Sequence, residues 1–308
     1  MSLVKSVQRR LPDGTVCQVT PFHVSFEGLE KMIICRDEQD CDTLVKCIFV
    51  CANRKNVIVI IYAVVSNHAH AAVLARRFSD AHVFAVEVKR TYSQLFRNKY
   101  GESKILRGTD VNVQILDTEW YLRNALAYIP RNAFDNGAKN LLDYKWTGFR
   151  AFFRGRSTGG KRRKVSRMTR REWREVFHTG DNLSGVTWEV NADNELEPDS
   201  ACDTGYLEQA FNCDQTFFYK CVGSVNTSEM TQKLVVSPRK MKTDSEFIKE
   251  MDAISMRWFL TGLSDLPVSK KARLIPYVFH TVKTTVPQMA RGFGMPREDI
   301  RRLLNLED

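Results

Sequence analysis

The sequence lacks any apolar run long enough to cross a membrane. Its longest is Val57–Val65, nine residues, against the roughly 20 that a transmembrane helix needs, so no membrane partner is expected. The first residues, MSLVKSVQRRLPDG, hold no continuous apolar segment, and a secretory signal is not expected. The eight cysteines include no C-x-x-C pair, which excludes a zinc ribbon or a thioredoxin-type motif. Cys47 and Cys51, spaced i,i+4 in CIFVC, read as buried helix positions. A chain of this length does not need disulfides, so a reducing, cytoplasmic compartment is expected. Internal repeats and low-complexity tracts are also absent.

One stretch lacks charge of one sign. Residues 175–219 contain no Lys or Arg and ten acids, whereas residues 150–174 hold eleven basic residues and one acid, Glu172. The flanking regions are milder: 20 basic and 15 acidic side chains in 1–149, 15 and 10 in 220–308. The net charge is +10 with a pI near 9.2, which favours an anionic partner, nucleic acid first. The 43% hydrophobic and 27% charged content excludes a wholly disordered chain. The charge shifts and Arg154-Gly-Arg-Ser-Thr-Gly-Gly160 predict domains at 1–155 and 241–308, with a basic and acidic connector over 156–240.

Residue patterning predicts a strand over Cys17–Glu27, a helix over Asp37–Arg54 and a buried central strand over Asn56–Val65. A strand over His68–Leu74 follows, then a helix over Ser79–Tyr100 stopped by Gly101. Ile105–Leu116 contains another strand, and Asp117 stands where the N-cap of a helix over Trp120–Asn132 would be. This order predicts an α+β domain: an antiparallel sheet with helices on one face.

His68 and His70 share one strand face, since residues i and i+2 point the same way, while Ala69 points into the core. Two imidazoles together supply part of a divalent metal site. On the next helix, Leu122, Leu126 and Ile129 form the core stripe. Tyr128 is about 200° from Leu126 around the helix, and Asn124 and Asn132 lie one turn to either side of it. A phenol flanked by amides is therefore expected on the polar side, with the Asn132 amide oxygen available to a hard metal.

These residues resemble a known family. The match runs in order through Phe22-His23-Val24, Ser66-Asn67-His68-Ala69-His70 and Tyr92-x-x-x-Phe96-x-Asn98. It continues through Glu119-Trp120-Tyr121-Leu122 into Ala127-Tyr128-Ile129-Pro130-Arg131-Asn132, then Tyr144-Lys145-Trp146. Over about the first 155 residues the chain is similar to the HUH single-strand transposases, and among them to the REP-associated tyrosine transposases. Where that family carries a bulky apolar residue between its histidines, this chain has Ala69. The resemblance implies a ferredoxin-like or RRM-like sheet, with His68, His70 and Asn132 binding Mg²⁺ or Mn²⁺ and Tyr128 as nucleophile. It implies cleavage of single-stranded DNA through a 5′-phosphotyrosine, on hairpins of repeated palindromic elements, in association with the nucleoid. Tyr121, seven residues before Tyr128 on nearly the same helix side, is the alternative nucleophile.

In the C-terminal region, Pro287–Leu304 fits a helix-turn-helix, with Ala290 between the helices, Gly294 at the turn and Ile300 as anchor. Its second helix would present Arg297, Arg301 and Arg302 to duplex DNA. Arg162, Arg163, Lys164 and Arg167 in the basic run are candidate phosphate contacts. A monomer is expected ahead of a dimer. Two other readings stand beside the transposase: an inactive regulator that binds duplex DNA through the helix-turn-helix, and a replication or plasmid-transfer nickase.

Overall fold

A computed structural model of the chain describes residues 3–27, 33–101, 111–135, 138, 140–153, 160–224, 244–282, 284 and 286–304. It divides into two compact units, Met1–Val236 and Ser237–Asp308.

The first unit is built on a five-stranded antiparallel sheet. Its strands are β1 (Val7–Arg10), β2 (Val16–Glu27), β3 (Ile58–Val64), β4 (His68–Ala75) and β5 (Asn112–Ile115). They run in the order β1-β2-β4-β3, with β5 pairing the second half of β2. Helix α1 (Glu38–Arg54) starts where the sequence indicates: the Asp37 carboxylate accepts the Asp40 N–H at 2.8 Å, a cap worth about 1 kcal/mol. Helix α2 (Phe78–Tyr100) ends at Gly101, whose φ of +74° is open to glycine at little cost. Helix α3 (Glu119–Asp135) begins one residue before the expected Trp120, and its cap is Thr118 rather than Asp117: the Thr118 hydroxyl accepts the Tyr121 N–H at 3.2 Å. For the expected strand Ile105–Leu116, residues 105–110 lie outside the described residues.

Helices cover both faces of the sheet, not one. Phe22, Val24, Phe26, Val59, Val64, Ala69, Ala71 and Val73 form one core with α1 and α2. Ile61, Ala63, Ala72 and Leu74 form the other with Leu122, Leu126 and Ile129 of α3. The unbroken apolar run of β3 explains this: a strand without polar alternation has two faces to bury. Nor is β3 central. It ends the strand order, and its outer edge is closed by side segments: Val64 N–H donates to Trp146 O, the Tyr144 hydroxyl to Val64 O and Asp203 N–H to Val59 O, at 2.8–2.9 Å.

The first unit continues past the expected boundary near 155. Residues 163–196 contribute β6 (Arg163–Lys164), α4 (Arg170–Phe177) and β7 (Glu189–Val190), and their Val165, Trp173, Phe177 and Trp188 join the α1 and α2 core. Then come α5 (Pro198–Ala201), α6 (Thr204–Ala210) and α7 (Gln215–Ser224), whose Tyr206, Leu207, Phe211 and Phe218 join the α3 core. The aromatic content of the connector is what makes it part of a core rather than a tether. Of the Arg154–Gly160 linker only Gly160 is described.

The second unit packs α8 (Asp244–Phe259), α9 (Val268–Thr281), α10 (Val286–Phe293) and α11 (Arg297–Leu303) around Phe247, Met251, Leu274, Met289, Phe293 and Ile300. Gly294 joins α10 to α11 with a φ of +62°. Gly292 has a different reason: a Cβ there would stand 2.5 Å from the Phe247 ring, so α10 approaches α8 at glycine distance.

Candidate active site

The site lies between β4 and α3. His68 and His70 project from the same face of β4, their ring centroids 5.0 Å apart. Tyr128 of α3 stands edge-on to His70, centroids 5.6 Å apart. One turn on, the Asn132 amide donates to the Tyr128 and Ile129 carbonyls at 3.2 and 3.0 Å. This anchors the side chain and turns its Oδ1 to His68 Nε2, 3.1 Å away.

The donor chemistry of this pair tests its fitness for a metal. His68 Nδ1 lies 2.7 Å from Asn67 Oδ1, a carbonyl-type oxygen that can only accept. Nε2 in turn lies 3.1 Å from Asn132 Oδ1, so with the proton on Nδ1 the Nε2 lone pair and the Asn132 oxygen would face a cation together. Ligands at right angles and 2.0–2.1 Å from an octahedral ion are about 3 Å apart, and the observed separation fits that edge. Among the described residues no group of three His, Cys, Asp or Glu side chains could hold a metal ion. The amide of Asn132 is thus needed to complete a three-donor set.

His23 belongs to this site and was not among the expected site residues. It sits on β2 opposite Ala72, two positions along from the Ser25–His70 pairing. Its ring stacks on His70, 12° from parallel, with Nε2 3.1 Å from His70 Nδ1. Burial pulls the His23 pKa down to about 4. Burial, then the charges of His68 and His70's other neighbour His23, hold His70 well below the usual histidine range. Both rings are therefore neutral near pH 7. One proton shared between His23 Nε2 and His70 Nδ1 leaves His70 Nε2 with a lone pair when Nδ1 is the donor. The sequence signal was present: His23 alternates with Phe22 and Val24, which both face the other core.

Tyr128 is only 6% exposed. The helix wheel sets it on a polar side away from the leucine stripe, but the structure buries it in the same apolar cluster as Leu122, Leu126 and Ile129, beside His70. Tyr121 is placed differently. Its hydroxyl donates to Gln114 Oε1 on β5 at 2.5 Å, and burial raises its pKa to about 12.

The candidate phosphate contacts separate into two kinds. Arg162 is engaged by acids: its guanidinium lies 2.8 Å from Asp199, 3.2 Å from Glu197 and 3.7 Å from Glu189. Arg163 pairs with Glu172 and donates to Asn194. The acidic stretch folds onto Arg162, which is therefore not presented to a ligand as the sequence suggests, whereas Arg163 stays exposed and its acidic partner Glu172 belongs to the basic run itself. Lys164 and Arg167 are exposed. On α11, Arg297, Arg301 and Arg302 are exposed, with Arg302 3.5 Å from Asp299.

No protein-family model matches the chain, and no curated protein matches it. Among solved structures, the chain is similar to one described as "Structure of the REP associates tyrosine transposase bound to a REP hairpin". The TM-score is 0.36 and the identity 14%, over 49% of this chain and 84% of that one.

Proposed function

We propose that the protein is a metal-dependent endonuclease and strand-transferase of single-stranded DNA, with Tyr128 as its nucleophile. The observation that carries the reading is the convergence of Tyr128 on His70, beside the His68–Asn132 contact at 3.1 Å. His68, His70 and Asn132 would hold the divalent ion, and two imidazoles with one amide oxygen suit Mn²⁺ better than Mg²⁺. When bound, the ion polarises a phosphate oxygen and neutralises charge that develops in the transition state.

The chain's own residues do the rest. Tyr128 Oη attacks phosphorus, the bond to the 3′ oxygen breaks, and the phenolic proton is balanced by protonation of that leaving oxygen. The products are a 5′-phosphotyrosine and a 3′-OH, and attack by another 3′-OH reverses the step without an external energy source. Asn67 and His23 are the partners that would hold His68 and His70 with the proton on Nδ1. The motif order, rather than any distance in the site, supports hairpin-bearing strands as substrate. Arg297, Arg301 and Arg302 on α11 would add contacts to duplex DNA, and Lys164 and Arg167 to phosphates.

The test is incubation of the full chain with hairpin-bearing single strands and Mn²⁺, followed by mapping of any covalent adduct. An adduct on Tyr128, lost in Tyr128→Phe while hairpin binding persists, is the expected result. Cleavage that survives in Tyr128→Phe sinks the assignment. One observation favours the regulator reading: the 6% exposure of Tyr128. That reading requires metal-independent duplex binding and no adduct on any strand.

A further inference from the structure

Helix α3 carries two arginines, Arg123 and Arg131, whose side chains end on backbone carbonyls far along the chain. Arg123 Nε donates to Ala210 O at 2.6 Å. Ala210 is the last residue of α6. Arg131 Nη1 donates to Val222 O at 2.9 Å and to Gly223 O at 3.2 Å, both in the last turn of α7. Each arginine thus caps the C-terminal end of a different helix. Those carbonyls have no partner within their own helix, and the helix dipole makes them a favourable place for a cation.

The α6–α7 arm is firmly built. Its turn contains two consecutive non-glycine residues with left-handed backbone, Asn212 at φ +57° and Cys213 at +56°, a conformation that persists only where surrounding contacts enforce it. Phe218 packs on Phe149, Phe152 and Phe153 with centroids 5.6–6.2 Å apart. The Phe153 N–H donates to Glu208 at 2.8 Å. The Arg123 guanidinium also lies over the Phe217 ring, 5.8 Å from its centroid.

We propose that α6 and α7 form a brace that sets the position of α3, and that Arg123 and Arg131 are positioning residues for the Tyr128 chemistry. This rests on the reading of Tyr128 as nucleophile. Arg131 immediately precedes Asn132, so one helical turn holds both the outer anchor and the amide that faces His68. On the inner side, Tyr128 meets His70 through a ring contact, and the outer anchors add donor–acceptor pairs that set where α3 lies. Residues 204–224 are thereby part of the cleaving machinery, although they touch none of the reacting atoms.

The experiment compares the full-length Arg123→Ala/Arg131→Ala chain with wild type. Three readouts are taken: amide hydrogen exchange, Mn²⁺ affinity, and the rate of adduct formation at saturating hairpin DNA. Faster exchange in α3 and α7, weaker Mn²⁺ affinity because α3 also carries Asn132, unchanged hairpin binding, and a rate at saturating Mn²⁺ lower by about 100-fold are expected, the size seen when a catalytic group is misplaced by about 1 Å. Arg131→Lys keeps a cation at the end of α7, so it is expected to give an intermediate rate, and it covers the case in which the double variant does not fold. Unchanged exchange in α3 overturns the brace, whatever the adduct does. Faster exchange with an unchanged rate overturns the positioning role. A wild-type chain that forms no adduct, paired with faster α3 exchange in the variant, refutes the nuclease reading and leaves the brace standing.

Discussion

The two faces of the sheet are made by the same strands and do different work. On β2, Phe22, Val24 and Phe26 enter the α1 and α2 core, while His23 and Ser25 point to the α3 side. On β4, Ala69, Ala71 and Val73 take the first side, and His68 and His70 the second. The first face is closed largely by apolar contact, with polar ties such as the Tyr92 hydroxyl on Ile34 O and the Arg54–Glu87 pair. The second mixes apolar residues toward β3 with neutral imidazoles, an amide and a phenol toward β2. A period of two lets one strand be scaffold and site at once, because adjacent residues are separated by the thickness of the sheet. Polar groups can be buried on the second face because nearly every one has a partner: Asn67 for His68, His23 for His70, and two carbonyls for Asn132.

If the faces are independent, changes on one should leave the other's property intact. The largest expected effect is Tyr128→Phe, which removes only the hydroxyl: adduct formation on hairpin DNA should vanish while the thermal midpoint stays near wild type. Phe84→Ala, deep in the first core, should cost about 3–5 kcal/mol in denaturant unfolding and leave Mn²⁺ affinity of the folded protein alone. His23→Ala should weaken Mn²⁺ binding about 10–100-fold, measured by titration calorimetry, with partial recovery in His23→Gln, whose amide oxygen can still accept. A smaller change is expected of Ala69→Leu. The side chain between the two histidines points to the opposite core, where an added branch should cost about 1–3 kcal/mol. If Mn²⁺ affinity moves with it, the two faces are coupled and the comparison breaks.

The smallest effect concerns acid stability on the α2 side. Hydrogen bonding from Arg90, then from Arg54, with Lys55 nearby, holds Glu87 at about 2 against an ordinary 4.5, despite opposing burial. A depressed folded-state pKa gives stability that is present above 4.5 and lost as pH falls toward 2. Glu87→Gln should therefore flatten the unfolding profile across that window, with its loss of stability greatest at neutral pH and vanishing toward pH 2.

Most elements of the sheet and of α1 to α3 were legible, since each is a period or a capping residue read over neighbours in sequence. Asp37, Gly101 and the His-x-His spacing are of this kind. What escaped was whatever depends on residues distant in the chain. The helices on both faces follow from the apolar run of β3, yet that run was read as a central strand because its edge is closed by residues 144–148 and 203, far downstream. His23 escaped because its significance is a neighbour 47 positions away. Arg162 read as a DNA contact because its three acidic partners lie 27–37 residues on.

The sequence by itself determined which residues alternate, where helices start and stop, and that two imidazoles share a strand face with an aromatic-amide helix to follow. These are consequences of local backbone geometry, which fixes side-chain direction within a few residues. Only the tertiary structure decided which face α3 covers, that Tyr128 is buried against His70, that His23 backs His70, and that the acidic connector neutralises part of the basic run. Those outcomes depend on pairing and packing between segments that no local period relates, where burial makes an unpartnered polar group costly and so selects the partner.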